Sequence, residues 1–288
     1  MKILLMAAGG NQGRLLLPKL HEAGIEVRAV HHVADDVSGL KARGAAEVMV
    51  GDAIDRGFAR EAVAGVDAVY YLTPTAHPQE REMAWGMIDA ACEAGTGHFI
   101  YSSVLHPIAS AMLQHKAKRD IEERLLEANI PFTVLQPADY MMPHIIAEAI
   151  NSRVWRQLYD LDRVQAMVAL DDVAEVVVKV ALERETHFGA TYQLCSPGNF
   201  SGNHIAQAIA EVTGLNITAE LVTPDDYFRA FYGMEDGYSY PKAMIRSVAM
   251  WYGQYDFVGN PNILTWLLGR PPTTLAQFIG QVWKKHSQ

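Results

Sequence analysis

Short apolar runs alternate with amphipathic segments through the first half of the chain. Runs of this length, separated by segments with helical spacing, are typical of buried parallel strands joined by crossover helices. The pattern predicts an α/β fold with about six strands in a doubly wound parallel sheet. The predicted strands cover residues 3–6, 27–30, 47–50, 68–72, 98–102 and 132–135.

The segment 113–127 has the clearest helical pattern. Gln114, Lys118, Ile121 and Leu125 recur along it at spacings of three and four residues, so they fall on one stripe of a helix. A lysine is therefore expected beside apolar positions on that stripe.

After residue 137 the pattern loosens, and aromatic residues become frequent in the last third of the chain. These aromatic side chains either pack a smaller core or line a pocket for an apolar or aromatic ligand. We expect a dinucleotide-binding domain over residues 1–140 and a smaller C-terminal α/β substrate-binding part over 141–288, with elements that can cross back into the first. Helices are predicted at 171–182 and 202–212, and strands at 191–194 and 217–222.

Composition limits the class of protein. The 288 residues are half hydrophobic and carry a formal net charge of -9, which argues against a nucleic-acid partner because such binding neutralises phosphates with Lys and Arg. Cys92 and Cys195 lie far apart without metal-ligand spacing, so neither a metal site nor a disulfide is predicted. The sequence has no leader pattern and no apolar stretch long enough to span a bilayer, which favours a cytoplasmic protein without a membrane partner.

A glycine-rich turn follows the first predicted strand and precedes a helical pattern. It includes Gly10, Asn11, Gln12 and Gly13. A pyrophosphate requires small residues at such a turn, because backbone N–H groups must approach it closely at the start of a helix whose dipole favours negative charge. The turn and its place in the repeating pattern predict a Rossmann-type domain that binds a nicotinamide dinucleotide.

The end of the second strand lacks the acidic residue that binds a ribose 2′-hydroxyl in many such domains. His31 and His32 stand there instead, after Arg28. Imidazoles contact a 2′-phosphate most strongly when protonated, and a solvated loop is the alternative explanation of both histidines. We therefore expect NADP(H) to be favoured, with NAD(H) possible.

Several motifs, in order and spacing, make the chain resemble the NmrA-like family of atypical short-chain dehydrogenase/reductase proteins over roughly its whole length. The motifs are the turn at residues 7–13, Gly51-Asp52, Thr73-Pro74, and the segments 118–122, 131–137 and 170–174.

The resemblance implies site residues beyond the glycine turn. Asp52 would lie near the adenine, and Thr73 and Pro74 near the adjoining ribose or the nicotinamide half. Lys118 would lie near the nicotinamide ribose, and Tyr140 would border the nicotinamide pocket.

Four positions depart from the pattern. Ala7 replaces the first glycine of the turn, His32 stands where an arginine often accepts the 2′-phosphate, and Gln136 replaces the arginine before the proline. Gln114 occupies the position four residues before Lys118, where ordinary members of the superfamily have a tyrosine whose pKa the lysine lowers. The common reductase mechanism, with its Tyr-x-x-x-Lys pair, is therefore absent as written.

Two functions remain open, since relatives lacking the tyrosine resemble either reductases or nucleotide-ratio sensors. The first is an NAD(P)H-dependent reductase or isomerase of a small carbonyl, enone or aromatic compound, with Lys118 as the candidate catalytic residue. Ser102, Ser103 and His106 follow the fifth strand and are secondary candidates. The second is a non-enzymatic redox sensor that acts through a protein partner. A nucleotide-sugar epimerase is disfavoured by the missing tyrosine, and the sequence leaves the oligomeric state open.

Overall fold

The computed structural model describes residues 1–33, 36–74, 76–232 and 239–286. Its elements, in chain order, are β1 (Lys2–Leu5), α1 (Asn11–Glu22), β2 (Glu26–His31), α2 (Val37–Ala42), β3 (Glu47–Val50), α3 (Arg56–Val63), β4 (Ala68–Tyr71), α4 (Glu80–Glu93), β5 (Phe99–Ser102), α5 (Leu113–Glu127), β6 (Phe132–Pro137), β7 (Asp139–Met141), α6 (Pro143–Ser152), β8 (Val154–Gln157), β9 (Gln165–Ala169), α7 (Leu170–Glu183), a 3₁₀ helix (Arg184–His187), β10 (Ala190–Leu194), β11 (Asn199–Phe200), α8 (Gly202–Thr213), β12 (Thr218–Leu221), α9 (Pro224–Tyr232), α10 (Tyr240–Tyr252), α11 (Asn262–Leu268) and α12 (Leu275–His286).

In the described part of the chain, the central sheet has seven strands in the order β10-β6-β5-β4-β1-β2-β3. The pairings from β3 to β6 are parallel. The strand order reverses between β1 and β4, which is the switch point of a doubly wound sheet and the place where such sheets bind ligands. The predicted α/β fold with a doubly wound Rossmann-type sheet is confirmed. The strand predicted at 191–194 belongs to this sheet as β10, so the sheet has one strand more than the apolar runs predicted.

The central strands are apolar and lack the alternation of a half-exposed sheet. Every residue of β4 and β5 is buried. This is the pattern expected for parallel strands covered on both faces by helices. On one face, Ile121 and Leu125 of α5 join Met83 and Met87 of α4 in a single hydrophobic cluster.

The chain divides into two compact units. The first comprises residues 1–108, 115–136 and 173–192, and it contains most of the central sheet. The second comprises residues 109–114, 137–172 and 193–288.

The described part of the second unit has two small sheets and a core of its own. Strand β9 pairs with β7 in parallel and with β11 in antiparallel fashion, while β8 pairs with β12 in parallel. Helices α6, α8 and α12 pack around Ile146, Ile205 and Ile279. Helix α8 begins with a capping box between Ser201 and His204 and ends at Gly214, whose φ of 72° is readily adopted by glycine.

Within the described residues, no helix combines the length and the apolar character that a bilayer crossing requires.

Candidate functional site

The turn after β1 is shaped by a close approach between its backbone and the start of α1. Ala7 has a positive φ of 51°, and the Gly10 N–H donates to the Ala7 carbonyl at 2.9 Å. A β-carbon at Gly13 would lie 2.5 Å from that carbonyl oxygen and 2.6 Å from the Cα of Ala8. Only glycine fits at position 13 without a backbone shift, as the close helix–strand packing of a dinucleotide turn requires.

The start of α1 leaves backbone donors for an anion. Gly10 is the N-cap and provides no side-chain cap, and the first turn contains no acidic residue. Asn11 is exposed at this end of the helix, whereas Gln12 is buried and accepts a hydrogen bond from the Tyr70 hydroxyl at 2.9 Å. Gln12 therefore anchors the turn to β4, while Gly10 and Asn11 are exposed and Gly13 is buried where the helix packs against the turn.

The two predicted histidines lie together at the end of β2. Their rings meet edge to face with centroids 5.1 Å apart, and His31 is partly buried whereas His32 is exposed. A β-carbon at Gly9 would lie 2.5 Å from Cε1 of His31, so the imidazole rests directly on the glycine turn. Arg28 is directed elsewhere: its guanidinium binds Glu47 and donates to backbone carbonyls of α3, including Ala62 at 2.9 Å.

Sequence reasoning missed two arginines near this strand end. Arg14, directly after Gly13, donates from Nε to the Gly9 carbonyl at 2.7 Å, and its Nη2 lies 3.9 Å from Asp36. Arg43, directly after α2, donates to the same Asp36 carboxylate at 2.5 Å. The hydrogen bond from Arg43 is the largest cause that lowers the pKa of Asp36. The position of Arg14 directly after the turn was the available signal, but only the fold brings Arg43 next to it.

Asp52 and Pro74 are exposed residues at two further strand ends. Asp52 follows β3, and its carboxylate accepts from the Ile54 N–H at 3.0 Å. This bond closes a local turn, and aspartate side chains commonly accept such a bond from the backbone two residues further on. Pro74 follows Thr73 after β4 and faces solvent.

Lys118, which is partly buried, belongs to a three-residue network with the buried residues Thr73 and Glu80. Its Nζ donates to Glu80 Oε1 at 2.7 Å and to Thr73 Oγ1 at 3.1 Å, while the Thr73 hydroxyl donates to Glu80 at 2.5 Å. The ammonium also lies 5.9 Å from the centroid of the Tyr101 ring. The predicted residues Thr73 and Lys118 are thus brought together at the end of β4.

Glu80 was not identified from the sequence. An acidic residue at the start of a helix is ordinarily explained by the helix dipole. A stronger signal was available, because Glu80 lies on one helical stripe with Met83, Ala84 and Met87, all of which are buried.

A second polar cluster joins β5, α5 and β6. Ser103 donates to Glu122 at 2.5 Å, and the Gln136 amide donates to both oxygens of the same carboxylate at 3.0 Å. Burial is the largest cause of a raised pKa at Glu122. The glutamine at 136 therefore binds Glu122 without supplying the positive charge that an arginine would bring.

Three further ionisable side chains, His115, Tyr71 and Tyr101, are buried. His115 is buried and shares a hydrogen bond of 3.0 Å with the His106 carbonyl, and burial lowers its pKa to about 4. The Tyr71 hydroxyl is buried without a hydrogen-bond partner among the described residues, and burial raises the pKa of both Tyr71 and Tyr101. Both phenols therefore stay protonated near neutral pH.

Tyr140 and Gln114 both belong to the second unit. Tyr140 lies on β7 of the second unit and is partly buried. Gln114 occupies the second position of α5, and its Oε1 is buried without a partner among the described residues. No group of three His, Cys, Asp or Glu side chains in the described ranges has an arrangement that would hold a metal ion.

These residues fit a dinucleotide by their chemistry. The turn after β1 provides a close backbone approach and helix N–H donors, and Arg14 and Arg43, which both contact Asp36, provide guanidinium groups. The Lys118 ammonium, with three N–H donors of which two are used by Thr73 and Glu80, is a group suited to a ribose hydroxyl at the end of β4. All three regions belong to the first unit, at the carboxyl ends of neighbouring parallel strands β2, β1 and β4.

Known proteins resemble the chain over nearly its full length. It is 26% identical over 278 residues to an NAD(P)H azoreductase of Xenophilus azovorans, with 96% of each chain covered. The fold is shared with the triphenylmethane reductase of Citrobacter sp. complexed with NADP(H), at a TM-score of 0.82 and 20% identity over 98% of this chain and 100% of that one. It is also shared with NmrA, a negative transcriptional regulator solved in complex with NAD, at a TM-score of 0.78 and 15% identity over 99% and 95% of the two chains. The model of the NmrA-like family matches residues 1–275, and the chain belongs to that family.

Proposed function

We propose that the protein is an NADP(H)-dependent reductase of a small carbonyl, enone or aromatic compound, with NAD(H) as a weaker cofactor. One observation carries this proposal: the glycine turn after β1 and the Lys118–Thr73 pair after β4 lie at the two strand ends that flank the switch point of the sheet. Doubly wound sheets bind dinucleotides across this point.

The preference for the phosphorylated cofactor rests on charge. The end of β2 carries His31 and His32, and Arg14 and Arg43 approach it from α1 and from the end of α2. A 2′-phosphate would gain charge-assisted hydrogen bonds there. Asp36 opposes this effect, because both arginines already share its carboxylate. The azoreductase and the triphenylmethane reductase, whose names link them to NAD(P)H and NADP(H), support the same cofactor.

The chemistry divides between cofactor and protein. A bound reduced nicotinamide supplies hydride, and the protein must orient it and deliver a proton. Gln114 cannot take the usual tyrosine's part, since an amide neither gives nor takes a proton in that way. Lys118 is the proposed catalytic residue: its ammonium binds the nicotinamide ribose, lowers the pKa of a bound hydroxyl or water, or gives up a proton itself.

Aromatic acceptors are the first substrates to test. The azoreductase is similar to this chain along 96% of its length, and its name specifies reduction of azo compounds. The aromatic side chains of the last third of the chain suit such ligands by their chemistry.

A sensor function is the second candidate. The structural likeness to the regulator NmrA and the absence of a tyrosine at position 114 both favour it. A sensor binds the dinucleotide without turnover and changes its contacts with a protein partner.

The experiment has two stages. Purified protein is titrated with NADPH, NADP⁺, NADH and NAD⁺, and oxidation of the reduced cofactor is then followed with azo dyes, quinones, aromatic ketones and enones. The reductase proposal predicts tighter binding of NADPH than NADH and oxidation that depends on an acceptor. Binding without turnover across the panel would favour the sensor, and absence of binding would contradict both.

A further inference from the structure

Glu80 is a carboxylate on the apolar side of α4. Its side chain is only 3% exposed, and it lies on one stripe with the buried residues Met83, Ala84 and Met87. Two residues further on, Glu82 is 42% exposed and pairs with the neighbouring Arg81 at 2.8 Å. Burying a carboxylate is costly unless it is paired and hydrogen-bonded, so a specific interaction must compensate for the position of Glu80.

That compensation comes from Lys118 and Thr73. The Oε1 atom of Glu80 accepts from Lys118 Nζ at 2.7 Å and from Thr73 Oγ1 at 2.5 Å. Thr73 Oγ1 also accepts from Lys118, so the three groups form a closed triangle. An ammonium has three N–H donors, and this triangle uses two of them. The third N–H donates to neither Glu80 nor Thr73.

We propose that Glu80 is the positioning residue for Lys118 in the reductase reaction, a role that rests on the proposed function. Lys118 extends from α5 on a flexible four-carbon stem, and a lone lysine would sample many rotamers. The Glu80 carboxylate and the Thr73 hydroxyl restrict the ammonium to the end of β4, beside the switch point. The anchoring contacts come from Glu80 at the start of α4 and from Thr73, two residues after β4.

The competing explanation is a purely structural ion pair that ties α5 to α4. Such a pair would affect the stability of the fold but not turnover once the protein is folded. A positioning role instead affects the chemical step, because a small displacement of a catalytic group lowers the rate even when all ligands are saturating. The two explanations therefore separate in the turnover number of folded variants.

The test is a double-mutant cycle on Glu80 and Lys118. Glu80→Gln keeps the volume and an accepting oxygen but removes the charge, and Lys118→Met removes the ammonium while keeping much of the stem. Glu80→Asp keeps the charge one methylene further away, and Glu82→Gln is the control for loss of a carboxylate from the same helix turn. Folding of each variant is checked by circular dichroism and thermal melting, after which kcat, KM and the Kd for NADPH are measured.

We expect Glu80→Gln to lower kcat by about tenfold or more at saturating cofactor, with Glu80→Asp between it and wild type and Glu82→Gln close to wild type. In the Lys118→Met background, Glu80→Gln should cost no further activity, because Glu80 acts through Lys118. Wild-type kcat in folded Glu80→Gln, or effects that multiply in the double variant, would overturn the proposal.

Failure of the proposed function gives a different result. If wild type binds NADPH but turns over no acceptor, the reductase proposal fails, and the same cycle is measured in the Kd for NADPH. Coupling between the two positions then still supports Glu80 as the residue that positions Lys118, and additive effects overturn it. If wild type binds no NADPH, both proposals are overturned.

Discussion

Gly13 packs so closely against Ala7 that a β-carbon at position 13 would lie 2.5 Å from the Ala7 carbonyl oxygen. Gly13→Ala must therefore displace either the turn or the start of α1, which moves the backbone donors away from a pyrophosphate. We expect an overpacking cost of about 1 to 3 kcal/mol in the free energy of unfolding. The affinity for NADPH, measured by titration, should fall about tenfold or more.

The matched control is Gly86→Ala in α4, where an added β-carbon meets no atom within 4 Å. This variant should keep the affinity of wild type. Equal affinities of folded Gly13→Ala and wild type would show that the turn after β1 is not the phosphate site.

Substitution of Arg14 or Arg43 tests whether their charges cause the preference for NADPH over NADH. Replacing either with Gln removes a cation near the end of β2 and should weaken binding of NADPH about tenfold, while binding of NADH changes little, because only NADPH carries the 2′-phosphate. Arg60→Gln is the control, since Arg60 is an exposed residue of α3 that pairs with the exposed Glu93 at the end of α4. If both cofactors lose affinity equally, these arginines do not recognise the 2′-phosphate.

The ion pair between Lys118 and Glu80 leads to a prediction about the free energy of unfolding. Lys118→Met leaves the Glu80 carboxylate buried without its cation, which we expect to cost about 3 to 5 kcal/mol in the free energy of unfolding. Adding Glu80→Gln removes the unpaired charge and should recover much of that loss in chemical denaturation. Should the single and double variants prove equally stable, the Glu80–Lys118 pair is not an essential part of the fold.

The catalytic role of Lys118 is then measured in whichever variant is folded. A role limited to binding the ribose predicts weaker NADPH binding and turnover that recovers at saturating cofactor. Proton transfer predicts a loss of roughly 10²-fold in turnover that saturation does not repair. Unchanged affinity and turnover would make Lys118 a residue outside the reaction.

The raised pKa of Glu122 leads us to expect that the stability of the fold depends on pH. Its folded-state pKa is raised, so the folded protein favours the protonated carboxyl and loses stability as pH rises through that pKa. Glu122→Gln cannot ionise and escapes this loss. The melting temperature of the variant relative to wild type should therefore be more favourable at about pH 8 than at about pH 4. A difference of the opposite sign would mean that Gln136 and Ser103 stabilise the carboxylate more than burial penalises it.

The local elements of the first unit could be predicted from sequence because their signals are periodic. The helix predicted at 113–127 has the same bounds as α5, and the strand predicted at 47–50 matches β3. The elements between residues 139 and 169 were not predicted. Strand β8 contains Arg156 and Gln157 and pairs with β12, so its stability depends on residues distant in sequence that no local pattern reveals.

The candidate site also has parts that the sequence predicts and parts that depend on contacts between distant residues. The glycine turn could be predicted from sequence, because a close backbone approach requires glycine at particular positions. Glu80 and Arg43 depend on tertiary contacts, since Glu80 binds Lys118 across 38 positions and Arg43 and Arg14 both contact the Asp36 carboxylate. Their residue types alone do not distinguish them from solvated surface charges.

Acceptor-dependent oxidation of NADPH by wild-type protein tests the central claim most directly. NADPH is mixed with the protein and an azo or quinone acceptor, and the absorbance of the reduced nicotinamide is followed, with Gly13→Ala as the binding-deficient comparison. The proposed reductase oxidises NADPH only when acceptor and wild-type protein are both present, and Gly13→Ala is much slower at the same cofactor concentration. Tight NADPH binding with no oxidation by any acceptor would contradict it.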